Sequence, residues 1–75
     1  MDTHVFYDEI KSWIDKCNQK AVELGMHSHE FWSWVTMSIA DISERYDNNE
    51  LVKKQMVMLY EWLHDIYQKG VNNNE

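Results

Sequence analysis

Two short runs carry the side chains with the most chemistry in them. The first is His27-Ser28-His29-Glu30, two imidazoles around a serine with a carboxylate behind. An H-x-H pair at a helix start can aim two nitrogens at one ion, but zinc needs three or four N, S or carboxylate ligands converging tetrahedrally. No C-x-x-C or H-x-x-x-H accompanies the pair, and the sole cysteine, Cys17, belongs to another segment. The plainer reading is a polar turn with His27 stapled near Trp32. The second run, Glu61-x-x-His64, has the spacing of di-iron bundles, in which such motifs project into the core. Here both residues fall away from the apolar stripe of their own segment. No G-x-S-x-G elbow or glycine-rich phosphate loop is present, and no second thiol exists for redox work. The expectation is a chain with no metal, no cofactor and no catalytic residue.

The elements that must position these groups are constrained by composition. With 75 residues, the chain sits where one hydrophobic core is barely sufficient. Small domains of this kind use disulfides, a metal or a partner subunit, and one cysteine rules out an internal disulfide. A lone thiol and an acidic N-terminus without a basic or apolar leader pattern lead to the expectation of a soluble, cytoplasmic protein. No apolar run approaches the roughly 20 residues that span a membrane. Seven basic residues against 13 acidic give a net charge of −6. That balance lacks the basic footprint of a nucleic-acid binder, disfavours anionic membranes, and leaves basic protein surfaces as partners.

Punctuation divides the chain into three amphipathic segments. In the first, Phe6, Ile10, Trp13, Ile14, Cys17, Ala21 and Leu24 recur at the helical period, with Asp8, Lys11, Ser12, Asp15 and Gln19 opposite. Gly25 suits a left-handed helix terminus, Ser28 an N-cap, and Glu30 the first turn of a second helix. Asp47-Asn48-Asn49 breaks the second segment from the third, and either Asp47 or Asn49 can cap the latter. There Val52, Met56, Leu59, Leu63 and Ile66 form the stripe, flanked by Tyr60 and Tyr67. Gly70 is the expected stop, with residues 71–75 a polar, disordered tail on a single domain of residues 1–70. The fold class is therefore all-α: a small antiparallel three-helix bundle with helices near 4–24, 29–46 and 50–69, either closed as a monomer or completed by homodimerisation.

The second segment has two faces. At about 100° per residue, Phe31, Val35, Ile39, Ile42 and Tyr46 gather into the core stripe, with Trp32 beside it and Ser38 allowing close approach. Glu30, Trp34, Met37, Asp41 and Glu44, at spacings 4, 3, 4 and 3, form another stripe, apolar in the middle and acidic at its ends. Trp34 either packs on a neighbouring helix or faces outward, whereas Met37 lies almost opposite the core. In the third segment Leu51, Met58 and Trp62 line up on the flank of the core face, widening its apolar arc to about half the circumference. Exposed apolar groups beside charge are typical of interaction surfaces.

These features favour a non-catalytic interaction module. It would be a regulator or inhibitor, of the kind carried by a phage or mobile element, docking Glu30, Trp34, Met37, Asp41 and Glu44 onto a basic protein partner such as a nucleic-acid-handling enzyme. The alternative is a homodimeric structural or assembly protein in which Leu51, Met58 and Trp62 serve self-association.

Overall fold

The computed structural model describes residues 2–72, with side chains as far as residue 69. Three helices account for nearly all of them: α1 (Thr3–Leu24), α2 (His29–Arg45) and α3 (Glu50–Asn72). No strand occurs among the described residues. The all-α class is as expected, and each helix boundary falls within three residues of the expected one.

Each boundary has a local cause. Asp2, in extended conformation, is the N-cap of α1, and its Oδ1 accepts from the backbone N–H groups of His4 (2.9 Å) and Val5 (3.3 Å). Two of the orphan donors of the first turn are thereby satisfied. At the other end Gly25 donates its N–H to Ala21 O at 3.0 Å with φ +87°. Space is not the reason for glycine here, since an added Cβ would meet nothing within 4 Å. The positive φ is the reason. Ser28 then opens α2: its Oγ accepts from Phe31 N–H at 3.1 Å and donates to Gly25 O at 2.9 Å. Trp32 ties the same turn down, its Nε1–H donating to Met26 O at 2.8 Å.

The second turn closes α2 with a Schellman pair. Asn48 N–H reaches Ser43 O at 2.8 Å and Asp47 N–H reaches Glu44 O at 3.0 Å, the two bonds that define that motif. The left-handed residues are Asp47 (φ 55°) and Asn48 (φ 56°), where glycine is usual. Asn49 is the cap of α3, its Oδ1 accepting from Leu51 N–H at 2.9 Å. Of the two candidate caps the structure thus selects Asn49, because Asp47 is committed to ending α2. Gly70 does not stop α3, which runs on to Asn72. A glycine costs a helix about 1 kcal/mol relative to alanine but forbids nothing, and no proline follows it. The remainder of the expected disordered tail, residues 73–75, lies outside the described residues.

Contacts divide the chain into two units, Met1–Trp34 and Val35–Glu75. In the first unit Phe6, Ile10, Trp13, Cys17 and Phe31 are buried, all of them on the stripes that periodicity assigns to a core. In the second the buried side chains are Val35, Ile42, Val52, Met56, Leu59 and Leu63. Full burial of side chains of this size stabilises by about 1.5–3 kcal/mol each relative to exposure. Of the expected core residues Ile14, Ala21, Ile39 and Tyr46 are half-buried, and two are exposed: Leu24 keeps 38% of its surface and Ile66 keeps 40%. Both stand near the C-terminal ends of their helices. Periodicity gives the direction of a side chain but not how far along the helix the covering chain extends.

Candidate interaction surfaces

The residues that opened the sequence analysis are used locally. His27 and His29 are exposed at the start of α2, and Ser28 between them is spent on the cap. His29 Nε2 lies 3.4 Å from Ser33 Oγ, one helical turn on. His64 stands in an aromatic row along α3, its ring centroid 6.2 Å from that of Tyr60 and 6.2 Å from that of Tyr67. Among the described residues no group of three or more His, Cys, Asp or Glu is placed to hold a metal ion. Cys17 is buried, and that burial pushes its thiol up from the ordinary 9.0. The thiolate is the nucleophilic form, so this environment makes Cys17 a poor nucleophile.

Trp34 is a member of the first unit's packing. Its ring lies over Trp13 of α1, centroids 5.7 Å apart and planes within 13°, and it also meets Phe31 at 6.5 Å. The side chain is half-buried. Of the two readings of Trp34, packing against a neighbouring helix is the one the geometry supports. Glu30, in the first turn of α2, is exposed. In the second unit Met37 keeps 72% of its surface in water, and Asp41 and Glu44 are exposed as well. Arg45 Nε donates to Asp41 Oδ2 at 3.2 Å, an exposed (i, i+4) pair. Such pairs contribute a few tenths of a kcal/mol and leave the local charge largely open to solvent.

The more extensive apolar surface is on α3. Leu51, Met58 and Trp62 keep 42%, 53% and 45% of their surfaces exposed, and Ile66 joins them at 40%. At about 100° per residue the four fall within an arc of roughly 80°, on one edge of the buried stripe Val52–Met56–Leu59–Leu63. Half-buried Gln55 lies within the same arc. Ile66 is thus the residue that sequence reasoning assigned to the core and that belongs instead to this outer stripe. The arc as a whole was visible in the sequence, but whether it met protein or water was not.

Shallow depressions on the helices offer little else. One of about 340 Å³ is lined by Asn18, Gln19, Val22 and Glu23 of α1, another of about 340 Å³ by Glu50, Lys53, Lys54 and Val57 of α3. Each is formed by neighbouring turns of a single helix and brings no acid–base or nucleophile pair together. Among the described residues no helix is long and apolar enough to cross a membrane. Comparison of the chain with family models, curated proteins and solved structures gives no match in any of the three.

Proposed function

We propose that the chain is a non-catalytic protein-interaction module, a regulator or inhibitor whose binding energy comes from the outer stripe of α3. The observation that supports this is the exposure of four large apolar side chains, Leu51, Met58, Trp62 and Ile66, in line on one helix. Together they leave roughly 350 Å² of apolar surface in water, the size at which the largest patch of a small protein is often functional. Trp62 is the natural anchor, since tryptophan dominates binding hot spots and loses little conformational entropy on burial. For a partner other than a second copy of the chain, the net charge of −6 favours a basic protein surface, such as that of a nucleic-acid-handling enzyme, over nucleic acid or an anionic membrane. Met37, Asp41 and Glu44 on α2 add an exposed acidic face with one apolar group in it. Trp34 contributes less than its type suggests, because Trp13 already covers one face of its ring.

The test is photo-crosslinking from single sites of the full chain. A photoreactive residue at position 58 should yield defined protein adducts, and one at position 22 should not. Val22 is the right control, being 87% exposed on α1 yet not aligned with other large exposed apolar groups. Equal yields from the two sites would remove the basis for this function. A second reading, that the module is a homodimeric assembly protein, is favoured by the order of charges along the same stripe.

A further inference from the structure

We infer that the occupant of the α3 stripe is a second copy of this chain, paired antiparallel about a two-fold axis near Met58. The inference rests on reading that stripe as a docking surface and names what docks there. Its first support is area. About 60% of a typical interface is apolar, so roughly 350 Å² of apolar stripe implies just under 600 Å² per partner, or about 1,200 Å² in total. With the polar groups bordering the stripe included, that reaches the lower bound of specific interfaces.

The second support is charge order, and it fixes the direction. On the solvent edge of the stripe Glu50 and Lys54 precede Met58, whereas Glu61 and Asp65 follow it with Lys69 a turn beyond. All five are exposed, and in an antiparallel pairing centred on Met58 Glu50 falls between Asp65 and Lys69 of the other copy. With Met58 against Met58 of the second copy and the helices antiparallel, Lys54 of each copy comes level with the Glu61–Asp65 turn of the other, on the same edge. Leu51 of each copy meets Trp62 and Ile66 of the other by the same register. The two-fold axis repeats both sets of contacts, so the surface is self-complementary as an isologous interface must be. A parallel pairing, with its two-fold axis along the helices, would put this edge of one copy against the opposite edge of the other and lose these charge contacts. The present partner of Lys54 is Glu50, whose Oε1 is 3.7 Å from Lys54 Nζ with the two side chains 75% and 85% exposed. So loose a pair is readily exchanged.

Sedimentation equilibrium on the full chain tests this, over concentrations from about 1 μM to 1 mM. The wild type should show a monomer–dimer equilibrium, and Trp62→Glu should be monomeric throughout. Because Trp62→Glu could also perturb folding, the decisive comparison uses exposed charges only. Lys54→Glu alone, and Glu61→Lys with Asp65→Lys, should each raise the dimer Kd about tenfold. An equimolar mixture of the two variants should form a heterodimer of near wild-type affinity. A wild type that stays monomeric at 1 mM overturns the second copy as occupant. So does a dimer indifferent to all of these substitutions, or a mixture no tighter than its components. Crosslinking from position 58 separates the two levels: adducts to a different protein from a monomeric chain defeat the dimer alone, and no adducts at all defeat the docking surface itself.

Discussion

Replacing Trp34 by alanine removes a ring that stacks on Trp13 at 5.7 Å and also touches Phe31. A tryptophan presents up to about 250 Å² for burial. Taking roughly two thirds of that as covered, about 160 Å² at 25 cal/mol per Å² gives an upper bound near 4 kcal/mol. Aromatic truncations in cores cost about 3–5 kcal/mol, and the part of Trp34 that faces water lowers the figure, so a loss of about 3 kcal/mol is expected. The whole chain, at about 0.05–0.15 kcal/mol per residue, has only about 4–11 kcal/mol to lose. Thermal melts should therefore fall by roughly 12–24 °C. Urea titrations of Trp13→Ala, Trp34→Ala and the double variant should return a coupling of about 1 kcal/mol. Met37→Ala is the internal contrast: that side chain is 72% exposed, and its loss should stay within about 0.5 kcal/mol. A Trp34→Ala chain that melts within about 5 °C of the wild type would show that the stack does not hold the first unit together, and Trp34 would return to the list of docking residues.

The remaining predictions concern the turns and the thiol. Asp47→Gly should stabilise the chain by about 0.5–1 kcal/mol, because Asp47 stands at φ 55° in the left-handed position of the α2 terminus; an unchanged or lowered melting temperature would contradict this. Ser28→Ala should cost about 1 kcal/mol through loss of the Phe31 N–H cap, and Ser28→Asp should recover most of it, both read from urea midpoints. Burial raises the Cys17 thiol above 9.0 in the folded chain. Above that pH the unfolded thiol ionises first and the unfolded state holds fewer protons, so this contribution to stability declines as pH rises from about 9. Cys17→Ala should lack that part of the decline. Alkylation of Cys17 by iodoacetamide should be slow in the native chain and accelerate through the unfolding transition, whereas a native rate equal to that of a free thiol would contradict its burial.

Residues whose structure depends on their near neighbours were legible in the sequence. Three helices follow from apolar spacings of three and four, and the turn at Gly25–Ser28 follows from a residue that tolerates positive φ and one that can cap. The buried members Phe6, Ile10, Trp13, Cys17, Phe31, Val35, Ile42, Val52, Met56, Leu59 and Leu63 all lie on faces that the helical period marks out. These are consequences of geometry within one or two turns of chain, where sequence distance and spatial distance coincide. The exposed stripe of α3 was likewise half legible: Leu51, Met58 and Trp62 align by spacing alone.

Tertiary structure decided the questions in which a side chain at the edge of a face could go either way. Trp34 lies about 100° from the centre of the α2 stripe, and only the position of Trp13 makes it a packed residue. Asp47 and Asn49 are equally good caps by type, and the α2 terminus takes one of them out of contention. Leu24 and Ile66 have the right period and the wrong surroundings. A helix fixes the direction of every side chain it carries, but burial depends on whether another part of the chain arrives there. That depends on contacts between residues far apart in sequence, which no local spacing encodes.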